Sequence, residues 1–143
     1  MKTQLIPKLG RFLIRISQPP ATALLKDGLG LQTVQRIQQW IYDRKWAENV
    51  PAGQVAEELG VSLDELSQYF RGLCGQSFVQ WRKSTRIEEA KMLLVTEYDM
   101  PTALIGESVG LIDKSNFRRQ FRQLTGMTPA EWRLKHKGHI SLH

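Results

Sequence analysis

From Leu31 onward the apolar residues recur at helical intervals. Val34, Ile37, Trp40, Ile41 and Trp46 fall mostly on one helical face, which predicts an amphipathic helix over 31–47. Asn49-Val50-Pro51 breaks it, and Pro51 suits the opening of the next helix. That helix is short, apolar at Val55, Ala56 and Leu59, and ends at Gly60, which can take the left-handed backbone of a tight exit. Ser62 stands three residues before Glu65, the spacing of a capping box. A further helix therefore starts there, with Leu63, Leu66, Tyr69 and Phe70 on its buried side. Helix, glycine turn and capped helix together outline a helix-turn-helix.

Laid on itself, the chain contains a second copy of this pattern. Ala56, Leu59, Gly60 and Val61 match Gly106, Val109, Gly110 and Leu111 at an offset of 50. One extra residue in the turn moves the offset to 51, where it holds. Phe70-Arg71 then matches Phe121-Arg122, Leu73 matches Leu124, Gly75 matches Gly126, and Trp81-Arg82 matches Trp132-Arg133. Between the copies Ser77 caps a long helix running through Ile87, Ala90, Lys91, Leu93 and Leu94 to the break at Asp99 and Pro101. About eighteen residues at roughly 1.5 Å each span about 27 Å. Successive major-groove faces lie about 34 Å apart, so such a helix can hold two reading helices near that separation.

The expected fold is all-α: two helix-turn-helix subdomains joined by a long linker helix, about seven helices. The first helix-turn-helix covers 51–76, the linker helix 78–96 and the second helix-turn-helix 101–126. Residues 1–30, with Pro19, Pro20 and three glycines, show no clean period and read as an N-terminal arm with one short helix. Residues 136–143 read as a flexible tail.

Charge sharpens the division. Residues 1–50 carry eight basic and three acidic side chains, 51–113 five and ten, and 114–143 seven and one. The net +6 therefore hides an acidic middle and a basic end, which brings polyanions in as partners. The start of the chain is a poor signal peptide, because Lys8, Arg11 and Arg15 interrupt its apolar stretch. No apolar run nears the roughly 20 residues of a membrane span. A single cysteine, Cys74, excludes an intrachain disulfide and reads as a structural thiol in a connecting turn. A reducing, cytoplasmic setting is expected.

Two stretches, RIEEAKMLL at 86–94 and IGESVGLIDKSNFRRQFRQLTGMTPAEWR at 105–133, resemble the AraC/XylS transcriptional regulators. VAEELGVSLDELSQYFRGLCGQSF at 55–78 agrees less closely, and the resemblance extends over residues 31–135. It implies a seven-helix DNA-binding domain whose helices near 63–72 and 114–124 enter successive major grooves, with recruitment of RNA polymerase. Members usually carry a separate effector-sensing or dimerisation domain, which thirty N-terminal residues cannot supply. The expectation is a stand-alone member or a fragment of something longer. Two departures stand out: Gly106 where the family commonly has Ala, and Leu111 where it has an aromatic.

In the second reading helix Phe117, Phe121 and Leu124 mark the buried face, leaving Lys114, Ser115, Arg118, Arg119 and Arg122 on the other. Arg118 or Arg119, with Lys114 and Ser115, is assigned to base edges, since a guanidinium fork can bond guanine O6 and N7 together. Arg122 is assigned to the backbone, and Asn116 to bases or phosphates. In the first unit the candidates are Ser67, Gln68 and Arg71, with Gln68 able to pair with adenine. Asp64 reads as a capping, solvated residue, although its carboxylate can accept from cytosine N4. Ser62 is a cap whose backbone N–H can also reach a phosphate. Arg86 reads as a packing residue, Trp40, Trp81 and Trp132 as core anchors, and Arg133, Lys135 and Lys137 as sources of diffuse phosphate attraction.

No catalytic, metal or cofactor site is expected. His136, His139 and His143 lie in the tail without a carboxylate or thiol partner, and no phosphate-cradling glycine loop is present. No small-molecule site is expected either. The leading expectation is a transcription regulator, an activator, that reads double-stranded DNA. The alternative is a protein-interaction module whose acidic first unit docks RNA polymerase or a partner domain, with DNA contact incidental. A minor reading places residues 1–16, basic with Leu5, Ile6, Leu9, Phe12, Leu13 and Ile16, on an anionic membrane.

Overall fold

The computed structural model describes residues 28–137. The arm and the membrane reading of residues 1–16 lie outside the described residues, as do 138–143. Seven α-helices and no strand occur among the described residues: α1 (Leu31–Tyr42), α2 (Ala52–Leu59), α3 (Leu63–Cys74), α4 (Phe78–Thr96), α5 (Thr102–Ser108), α6 (Lys114–Thr125) and α7 (Pro129–His136), with a 3-10 turn at Lys45–Ala47. None of them is long and apolar enough to cross a membrane. They fall into two compact units. The first runs through Lys45 and resumes over Val50–Arg82, and the second takes Trp46–Asn49 and the chain from Lys83.

The first unit is built on α1, α2, α3 and the start of α4. Val34, Ile37, Trp40 and Ile41 of α1 are buried with Val55, Ala56, Leu66, Tyr69, Phe70, Phe78 and Trp81. The Phe70 and Trp81 rings stack at 4.3 Å, and Trp40 meets Phe78 edge-on at 5.6 Å. Leu29, ahead of α1, is buried as well. The helix predicted over 31–47 stops at Tyr42. Arg44 adopts a left-handed φ of 57°, and Trp46 belongs to the second unit, in the 3-10 turn. The chain must turn there because Trp46 is wholly buried elsewhere than the α1 stripe.

The second unit repeats the plan. Phe117 and Phe121 of α6 are buried with Ile105, Val109 and Leu111, and Phe121 meets Trp132 edge-on at 5.9 Å. Arg86 is buried, as packing requires, and donates to the carbonyls of Trp46 at 2.9 Å and Glu48 at 2.7 Å. Gly110 has φ 90°, and a Cβ there would stand 2.5 Å from the Ala47 carbonyl oxygen. Gly106 is close-packed as well: a Cβ would meet Phe117 Cδ2 at 2.6 Å, so the departure from Ala makes room for that ring.

Several side-chain assignments need correction. Leu63 and Leu124 are about half exposed, because each sits in a terminal turn where the apolar stripe reaches the rim of its core. Trp132 is half-buried rather than a full core anchor. Cys74 is the last residue of α3, not part of a turn; it is exposed and its thiol donates to the Phe70 carbonyl at 3.4 Å. His136 closes α7 rather than opening a flexible tail, its ring stacked 4.0 Å from that of Trp132.

Candidate nucleic-acid interface

The two candidate reading helices are cut to one template. Ser62 caps α3 by accepting from Glu65 N, and Asp113 caps α6 by accepting from Asn116 N. Gly75 and Gly126, both left-handed, close them. The turn before each is stapled by a 6→1 bond, Val61 N to Ala56 O at 3.0 Å and Leu111 N to Gly106 O at 2.8 Å. Each helix is followed by a cap, Ser77 or Thr128, which accepts from the backbone of Gln80 or Glu131. Arg82 and Arg133 then tie the following helix back to main chain, Arg82 to Val50 O at 2.6 Å and Arg133 to Leu94 O at 2.8 Å and Glu97 O at 3.1 Å. Burial lowers the pKa of both guanidiniums, at Arg133 against the raising charge of Asp99. Arg133 is thus a structural tie, not a diffuse phosphate attractor.

This frame decides which side chains face outward. In α6, Ser115, Arg119 and Arg122 lie at i, i+4 and i+7, opposite Phe117 and Phe121, and all three are exposed. Lys114 and Arg118, also exposed, flank them and line a hollow of about 290 Å³ with Thr102, Ala103, Thr128, Pro129 and Ala130. Asn116 is half-buried on the other flank, its side-chain oxygen accepting from Arg119 Nη2 at 2.6 Å and Gln120 Nε2 at 3.1 Å. That bond holds one edge of the Arg119 guanidinium and leaves its remaining donors for a planar acceptor pair. Nearby, the Glu131 carboxyl is held below its usual range, first by the Thr128 backbone N–H and hydroxyl and then by the charges of Arg122 and Arg118.

In α3 the corresponding positions are Asp64, Gln68 and Arg71, which with Gly72 line an open hollow of about 530 Å³. Arg71 is exposed, whereas Ser67 and Gln68 are half-buried. The Ser62 backbone N–H, a candidate for phosphate, is bonded to Glu65 Oε1 at 3.0 Å. The Asp113 cap and the Asn116–Arg119 bond escaped the sequence reading. Asp113 was within reach of it, standing 51 residues after Ser62 in the repeat register.

Residues 55–135 match the family described as Helix-turn-helix domain. The arabinose operon regulatory protein of Escherichia coli (strain K12) is 38% identical over 100 residues, covering 70% of this chain and 34% of that protein. This chain belongs to the AraC/XylS family of transcriptional regulators. Transcriptional activator NphR of Rhodococcus is 28% identical over 105 residues, 73% of this chain and 31% of its own length. The C-terminal domain of AraT, a response regulator from Geobacillus stearothermophilus, superposes with a TM-score of 0.63 at 28% identity, over 75% of this chain and 87% of that one. The chain spans about a third of the length of these curated AraC/XylS relatives. The family is one of DNA-binding regulators and not of enzymes.

Proposed function

We propose that residues 31–135 form a sequence-specific binder of double-stranded DNA that activates transcription, with α6 and α3 entering two successive major grooves. The observation that carries the reading is the outward triple Ser115, Arg119 and Arg122 on a helix whose opposite side is locked by Phe117 and Phe121. Arg119, central and held by Asn116, reads guanine through O6 and N7, with Ser115 and Asn116 beside it. Arg122 contacts phosphates; Lys114 and Arg118, expected at base edges, lie to one side of the outward triple and contact phosphates as well, from the flank near the start of α7. Ser67, Gln68 and Arg71 form the second, weaker contact set. Activation, with RNA polymerase as the protein partner, draws support from the relative named as an activator. A DNA partner of this class puts the site of action in the cytoplasm of a bacterium.

Exposed Glu57, Glu58, Asp64 and Glu65 favour a second reading, in which the first unit docks a basic protein surface. Binding to target and random duplexes at two salt concentrations separates the two. On the DNA reading, Arg119→Ala loses about 1–3 kcal/mol of discrimination at particular base pairs. Binding that is absent, or indifferent to salt, favours docking.

A further inference from the structure

The repeat register sets Asp64, Gln68 and Arg71 of α3 where α6 has Ser115, Arg119 and Arg122. The helix cap does not need Asp64. Ser62 Oγ accepts from Glu65 N at 3.0 Å while Glu65 Oε1 accepts from Ser62 N at 3.0 Å, so the capping box closes without it. Asp64 is exposed and has no hydrogen-bond or ion-pair partner among the described residues. Its carboxylate shares the open hollow with Gln68 and Arg71, and Gly72 leaves bare the position where α6 carries Gln123.

We infer that Asp64 is a specificity-determining residue that selects cytosine in the half-site read by α3. This rests on the proposed entry of α3 into a major groove. A carboxylate only accepts, so it needs a base edge that donates. Guanine presents two acceptors and thymine one, and both repel it; adenine pairs its N6 donor with an N7 acceptor that repels the second oxygen. Cytosine N4 offers a donor whose other neighbour on its own base edge is C5–H rather than an acceptor. Gln68, one turn on, is suited to an adjacent adenine, whereas Arg119 in the matching position of α6 takes guanine. The two half-sites of the operator are therefore unlike, despite the duplication of the protein.

Enrichment of random DNA duplexes with the parent chain, Asp64→Asn and Asp64→Ala tests this, with thermal melts to verify folding. The parent should enrich cytosine at one position of the α3 half-site. Asp64→Asn, which adds a donor beside the retained oxygen, should shift that position to adenine. Asp64→Ala should lose about tenfold preference there and nowhere else, while binding random duplex more tightly because an acid has gone. Unchanged base preference in both folded variants, with or without a uniform gain in affinity, overturns the assignment and leaves DNA reading intact. A parent that enriches no sequence overturns both.

Discussion

A left-handed glycine matters in proportion to what stands beside it. Gly60 and Gly110 close the turns of the two units with φ 69° and 90°, but a Cβ on Gly60 meets open space and one on Gly110 meets backbone. Gly60→Ala should cost only the conformational penalty, about 1–2 kcal/mol. Gly110→Ala adds a collision with the Ala47 carbonyl that no rotamer relieves, and should cost about 3 kcal/mol or more. Urea unfolding of both variants checks the contrast; equal losses would mean that the close approach is not rigid. Tyr69 offers a pH signature at the same scale. Burial pushes its hydroxyl up to about 12, against a lowering contribution from the Gln38 side chain. The phenol is neutral in both states below pH 10, so its contribution is complete there. Between about 10 and 12 the unfolded chain releases the proton and the folded chain does not, and roughly 2 kcal/mol is lost as pH rises. Tyr69→Phe should flatten the fall in Tm over that range.

Helix ends carry much of the architecture. The Thr128–Glu131 box opens α7 with bonds of 2.8 and 3.2 Å, and Thr128→Ala should cost about 1 kcal/mol in urea unfolding. The same variant keeps the residue-128 backbone N–H but removes the hydroxyl that also holds the Glu131 carboxyl low, so part of the α7 contribution, normally lost only as pH falls, should already be missing at neutral pH. Such features were legible in the sequence because they are local. Glycines, caps and prolines at fixed spacings marked both helix-turn-helix pairs and the long α4. The end of α1 was not, because nothing near Tyr42 breaks a helix; the break follows from Trp46 taking its place in another core. Leu63 and Leu124 failed for a related reason, since periodicity names the face of a helix but not how far the core extends along it. In the site, the outward cations of α6 followed from its period. The engagement of Arg133 with carbonyls 36 and 39 residues away did not, because no local pattern separates a tethered guanidinium from a solvated one.

At the scale of the whole molecule, duplication and charge pull in different directions. One template was copied, yet residues 51–113 carry twice as many acids as bases while 114–143 carry seven bases and one acid. Counterion release makes the salt dependence of binding a count of phosphates neutralised, about 0.9 per contact in the logarithmic slope. Arg71 and Arg122 occupy the same place in the repeat, both exposed one turn before the closing glycine, so they form a matched pair of probes. If both units sit on the duplex, Arg71→Ala and Arg122→Ala should each lower the slope by about 1, and the double variant by about 2. Should the acids of the first unit hold it off the backbone, Arg71→Ala would leave the slope unchanged while Arg122→Ala lowers it. In that case the second unit alone supplies the affinity, and α3 contributes selectivity only at the base edges it can reach.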